Sequence, residues 1–226
     1  MKTFHILCFL CINFVSISHT VKYNSLIWSD EFDYTGKPNP NLWYFQNNSL
    51  NAKVPKYSNS FTDQNAYVSE GYLTIVAKKE QSLGMNYSSA GILSMRGFRY
   101  GRFEMRAKLG GGRGTWANFL MSPDQRRTGT LRGEIDIAEV IDTSRFAFNV
   151  IHGSIHYNYT ITNTSTKSIS ASGTFAMNQN PDTSFHVYSV EWNKDKMIFY
   201  VDDLPFHTYL IDNTTSADGI TAYNIR

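Results

Sequence analysis

The stretch R-G-E-I-D-I-A-E-V, Arg132 to Val140, carries three carboxylates within six residues of an otherwise apolar run. Ile135 and Ile137 alternate with Glu134 and Asp136, the period of a strand with one polar and one buried face. Alternation returns a side chain to the same face every second residue, so Glu139 falls out of step with the other two acids. A single β-bulge between Asp136 and Glu139 inserts one residue and turns Glu139 back to the acidic face, and bulges concentrate beside active sites. The spacing predicts a bulged strand with three acids on one face and isoleucines behind them.

A strand of this kind needs a sheet around it and a core beneath it. Short alternating runs recur along the chain: A-Y-V-S-E-G-Y-L-T-I-V-A, Y-G-R-F-E-M-R-A-K-L, H-G-S-I-H-Y and K-M-I-F-Y-V-D-D. Turn residues separate them at 36–40, 110–114, 122–124 and 202–205, and aromatics supply 15% of the residues, enough bulky surface to fill a core between sheets. Many short strands with turns at this spacing predict an all-β sandwich or jelly roll. No apolar pattern of helical period runs past two turns. The glycine run Gly110 to Gly114 lacks the G-K-[ST] ending of a phosphate loop and reads as a turn. No repeat or low-complexity linker marks an internal boundary, so residues 21–226 are expected to form a single domain.

Three acids on one face have a chemical use. Like charges at close range cannot all stay ionised, so one acid keeps a proton near neutral pH, as a general acid must. With the bulge, the two glutamates stand roughly 13 Å apart along the backbone at about 3.3 Å per step. Side chains leaning together across a curved sheet can close much of that gap. Carboxyl separations of about 5 to 5.5 Å belong to glycosidases that retain configuration, with one carboxylate attacking and the other protonating the leaving oxygen. The plain alternative is an exposed strand whose outer face happens to be acidic.

The rest of the composition narrows the setting. Twenty-one basic and 19 acidic residues are spread along the chain without the clustering that a phosphate backbone requires, so nucleic acid is not an expected partner. Residues 1–20 carry Lys2, an apolar run from Phe4 to Ile17 and small residues at Ser16 and Ser18, the pattern of a secretory signal peptide. Both cysteines, Cys8 and Cys11, lie within it, so the mature chain is expected to rely on its core rather than on disulfides. Sequons at Asn47, Asn86, Asn158, Asn163 and Asn213 fit a secreted, extracellular glycoprotein without a membrane anchor after leader cleavage. The scattered histidines offer no metal-binding spacing, so no metal site is expected.

The motif E-I-D-I-A-E matches E-[ILV]-D-x-x-E, the bulged active-site signature of family 16 glycoside hydrolases, and resembles most the laminarinase (endo-1,3-β-glucanase) branch. I-W-S-D-E-F-D-Y-T-G-K-P-N-P-N-L-W from Ile27, N-A-Y-V-S-E-G-Y-L-T-I from Asn65, Y-G-R-F-E-M-R-A-K from Tyr100, G-T-W from Gly114, H-G-S-I-H-Y from His152 and F-H-V-Y-S-V-E-W from Phe185 resemble that family in its order. The resemblance covers about residues 26 to 210. It implies a concanavalin-like jelly roll of two curved antiparallel sheets, with a polysaccharide substrate across the concave face.

Carried over by position, the resemblance implies that Glu134 is the nucleophile, Asp136 the assisting acid and Glu139 the general acid/base. It implies that Trp116 stacks on a glucosyl ring and that His156 contacts the sugar, while Trp28, Trp43 and Trp192 read as core. Leu120 stands where the family commonly has a second tryptophan. No cofactor is required, a structural calcium on the outer face is in keeping with the resemblance, and a monomer is expected. The family normally continues beyond Y-L-I-D at 209–212 with further strands, so the fold is expected to lack its final strands. The expected activity is endo cleavage of β-1,3-glucan with retention. The rival is a secreted glucan-recognition protein of the same fold without turnover.

Overall fold

The computed structural model describes residues 2–7, 25–46, 59–123, 132–141, 148–162 and 165–211; for residues 2–7, 132, 158–162 and 165–169 only the backbone is described. The expectation about the end of the fold falls on residues 212–226, outside the described residues. Among the described residues the structure is all-β, with one short 3-10 turn at Asp63–Asn65. Packing divides the chain into two compact units, and the division runs through the strand Gly101–Ala107 rather than through a linker. No linker composition marks it in the sequence.

The first unit holds β1 (Lys2–Leu7), β2 (Trp43–Phe45), β3 (Asn59–Phe61), β4 (Ala66–Ser69), β5 (Tyr72–Ser82), β6 (Met85–Ser89), β7 (Ile92–Ser94) and the end of β8 (Gly101–Ala107). β5 is its axis, pairing antiparallel with β1, β4 and β6, while β2 pairs with β7. Phe32, Ala66, Val68, Leu73 and Ala90 form its core, with Trp43 packed against them as its reading as core requires. Buried Asp30 accepts hydrogen bonds from Phe32 N (3.1 Å), the Tyr34 hydroxyl (2.9 Å) and Trp43 Nε1 (2.7 Å), so a carboxylate inside this core is satisfied. Residues 2–7 of the expected leader form β1, which pairs with β5 from Lys2 to Ile6 and meets β8 at Ile6 and Leu7. Of the sequons, Asn86 is exposed on β6; Asn47, Asn163 and Asn213 lie outside the described residues, and only the backbone of Asn158 is described.

The second unit contains two layers. One is a four-stranded antiparallel sheet of β9 (Trp116–Met121), β10 (Arg132–Ile141), β11 (Val150–Thr162) and β12 (Ser165–Ala176), in the order β12-β11-β10-β9. The other contains β13 (His186–Trp192), β14 (Lys196–Val201) and β15 (Leu204–Leu210), joined by antiparallel pairing. The β14–β15 turn puts Asp202 and Asp203 at φ 49° and 64°, a left-handed pair that short polar side chains tolerate and that suits a two-residue hairpin. Ile135, Ile137 and Ile155 from the first layer pack against Val190, Trp192, Met197 and Phe199 from the second, a sandwich core. Burying these isoleucines fixes the register of β10, because a slip of one residue would send them to solvent.

Candidate active site

The register of the four-stranded sheet sorts its side chains onto two faces. Ile135 opposite Ile155 and Met121 lies on the core face. On the other face Glu134 stands opposite His156, Asp136 opposite Ser154 and Leu120, and Glu139 opposite His152 and Asn118. Between Asp136 and Glu139 the pairing with β11 shifts, three steps along β10 matching two along β11, and the pairing with β9 shifts at the same place. The bulge read from the spacing of the acids is therefore present on both sides of the strand. β12 extends the same polar face with Ser170, Ser172 and Thr174, opposite His156, Ser154 and His152.

The three acids differ in their surroundings. Glu134 is exposed, whereas Asp136 and Glu139 are 1% and 7% exposed. Burial, followed by the negative charges of Glu139 and Glu134, pushes the Asp136 carboxyl up to about 8, and a hydrogen bond from the Ser154 hydroxyl works against that rise. Asp136 therefore carries a proton at neutral pH. Its Oδ2 accepts from Ser154 Oγ at 2.7 Å and lies 3.1 Å from His156 Nε2. Its Oδ1 is buried and accepts no hydrogen bond among the described residues; once protonated, the carboxyl is placed to donate to Glu134.

Glu139 is gripped from β9: the Trp116 indole Nε1 donates to its Oε1 at 2.6 Å. Trp116 remains 45% exposed, so it offers an aromatic face to solvent while holding a carboxylate by its edge. The sequence singles out Trp116 for stacking alone, since nothing in G-T-W foretells where the indole N–H points. Leu120 lies on the same face opposite Asp136, on the strand that carries Trp116.

His156 is half-exposed, and both ring nitrogens are engaged: Nδ1 with Ser170 Oγ at 2.7 Å, Nε2 with Ser154 Oγ at 3.1 Å. Burial holds His152 below the usual imidazole range. Ser154 and Ser170 escape the sequence reading. The alternation His152, Ser154, His156 could have flagged Ser154, because the two histidines already mark its face.

One oxygen each from Glu134 and Asp136 and one ring nitrogen of His156 fall within 4.8 Å of one another. Among the described residues no other group of three acidic or imidazole side chains gathers this way. Its imidazole does not suit calcium, which takes oxygen ligands, and it lies on the acidic face rather than on the outer face where the structural calcium is expected. These groups also hydrogen-bond or share protons among themselves.

A bulged acidic strand, a protonated buried aspartate, a glutamate held by a half-exposed tryptophan and a polar sheet face form a site suited to acid/base work beside an aromatic platform. The family model described as glycosyl hydrolases family 16 matches residues 39–224. A beta-glucanase of Rhodothermus marinus is 34% identical over 206 residues, covering 86% of this chain and 68% of the relative. The glucan endo-1,3-beta-glucosidase A1 of Niallia circulans is 32% identical over 206 residues, covering 81% of this chain and 29% of the relative. This chain thus spans about two thirds of the first relative and under a third of the second. The solved laminarinase of Rhodothermus marinus superposes with a TM-score of 0.67 at 33% identity, over 82% of this chain and 74% of that one. The jelly-roll β-sandwich implied by the sequence is the fold of this molecule, and the chain belongs to the family 16 glycosyl hydrolases.

Proposed function

We propose that the chain is an endo-acting hydrolase of β-1,3-glucan that retains anomeric configuration through a double displacement. The observation that carries this reading is the bulge that puts Glu139 on the face of Glu134 and Asp136, with Trp116 donating to it. The similarity to a glucan endo-1,3-beta-glucosidase and to a laminarinase supports the choice of substrate.

In the first step a carboxylate oxygen of exposed Glu134 attacks the anomeric carbon, the bond to the glycosidic oxygen breaks, and Glu139 gives its proton to that leaving oxygen. An ester joins Glu134 to the sugar. Glu139, now ionised and steadied by the Trp116 N–H, takes a proton from water; the hydroxide attacks the same carbon and frees Glu134. Two inversions give retention. Asp136 keeps its proton in the resting site and donates toward Glu134, which holds the nucleophile in place. The exposed ring of Trp116 offers a face to a glucosyl unit, and His156 borders the same surface. Side chains and water suffice for these steps.

The leader pattern and the sequons support export of a glycoprotein. N-terminal sequencing and glycosidase digestion of material from a secreting host test that part.

Reducing-end release from laminarin tests the activity, and proton NMR of the first product tests its stereochemistry. The β anomer appears first under this proposal. Glu134→Gln and Glu139→Gln each abolish turnover while retention on insoluble curdlan persists. Binding to curdlan by the unaltered chain without release of reducing ends would assign it instead to recognition proteins, and an α product formed first would refute retention.

A further inference from the structure

Three side chains on the polar face, Ser154, His156 and Ser170, take no direct part in the double displacement. They form a chain. The Ser170 hydroxyl lies 2.7 Å from His156 Nδ1; His156 Nε2 lies 3.1 Å from both Ser154 Oγ and Asp136 Oδ2; and Ser154 Oγ donates to that same Oδ2 at 2.7 Å. If the Ser170 hydroxyl donates to Nδ1, the imidazole must carry its proton on Nε2, pointing at Asp136 Oδ2. Among the described residues Oδ2 then receives two donors and Oδ1 none.

A carboxyl group with both donors on one oxygen carries its own proton on the other. We propose that Ser170, His156 and Ser154 act as a positioning relay that places the Asp136 proton on Oδ1, so that the carboxyl gathered beside Glu134 can donate to it. The proposal rests on the reading of Glu134 as nucleophile. It gives Asp136 a defined direction, from which its hydrogen bond keeps one Glu134 oxygen occupied and leaves the other to attack. No bond to the sugar is made by these three groups in this role, so they act through Asp136.

The titratable groups facing Asp136 are Glu134 and Glu139 on its own strand and His152 and His156 on β11. The facing residues of β9 (Trp116, Asn118 and Leu120) and of β12 (Ser170, Ser172 and Thr174) carry none in the range of interest. Burial keeps Asp136 protonated to about pH 8, so the relay has a proton to direct throughout the neutral range.

The test compares Ser154→Ala with Ser154→Thr, and His156→Leu with His156→Gln, the second of each pair keeping a donor. Ser154→Ala and His156→Leu are expected to lower kcat on laminarin about tenfold, with KM within about twofold, the size expected for losing a hydrogen bond to a buried acid. The basic limb of kcat/KM against pH should move upward, because the donors on Oδ2 favour the ionised form. Ser154→Thr and His156→Gln should recover most of the rate. A readout independent of turnover is the titration of Asp136 followed by 13C NMR of the labelled carboxyl, which should move upward by about one pH unit in Ser154→Ala. An unaltered chain that cleaves no glucan would remove the functional reading while leaving this titration as the test of the relay. An Asp136 midpoint unchanged in Ser154→Ala, or a His156→Leu variant with raised KM and intact kcat, would overturn the proposal.

Discussion

Replacing Asp136 by Asn tests the electrostatics of the site without touching the sugar-facing groups. Asn has nearly the shape of a protonated aspartate but cannot ionise. In the folded chain the Asp136 carboxyl is pushed up to about 8, against 3.8 for an ordinary aspartate, chiefly because it is buried and secondarily because the neighbouring Glu139 and Glu134 carboxyl groups disfavour a further charge. The folded state therefore holds a proton that the unfolded chain releases once pH exceeds about 4. By linkage, stability falls as pH rises through this window, by about 1.4 kcal/mol per pH unit, and levels off above pH 8. Four pH units set a ceiling of about 6 kcal/mol. This stability is fully present below pH 4 and lost by pH 8. Urea unfolding at pH 4, 5, 6, 7 and 8 should show Asp136→Asn close to the natural chain at pH 4 and several kcal/mol more stable at pH 8, while its kcat falls. Two curves that run parallel across this range would refute the reasoning.

Trp116→Phe keeps an aromatic face but removes the N–H that meets Glu139 at 2.6 Å. A hydrogen bond to a charged group is worth about 1.5 to 3 kcal/mol, so kcat on laminarin should drop at least about tenfold with little change in KM; a rise in KM alone would make Trp116 a stacking residue only. At Gly111 an added Cβ would stand 1.7 Å from the Phe148 ring, so Gly111→Ala should destabilise the chain by about 1 to 3 kcal/mol in urea unfolding. A denaturation midpoint equal to that of the natural chain would show that the ring moves aside freely.

The bulge and the polar face were legible because charge and alternation cannot both be satisfied at Glu139 without an extra residue, while the isoleucines fix which side is buried. The same logic reads the sandwich, since strands such as K-M-I-F-Y-V bury every second residue. Ser154 and Ser170 were not legible, because a serine on a strand has no preference that separates a spacer from a hydrogen-bond donor. The Trp116 contact depends on a side-chain angle that no spacing specifies. Residues 2–7 show a further limit: F-H-I-L is apolar enough for a leader and β-forming enough to pair with β5. Removing it would expose the strand edges that β1 covers on β5 and β8.

Incubation with a 2-deoxy-2-fluoro laminari-oligosaccharyl fluoride, which slows the second displacement more than the first, tests the catalytic assignment directly. Peptide mass spectrometry should find the sugar esterified to Glu134, and the ester should form in Glu139→Gln but not in Glu134→Gln. A sugar attached to Glu139, or steady turnover of laminarin by Glu134→Gln, would contradict the account.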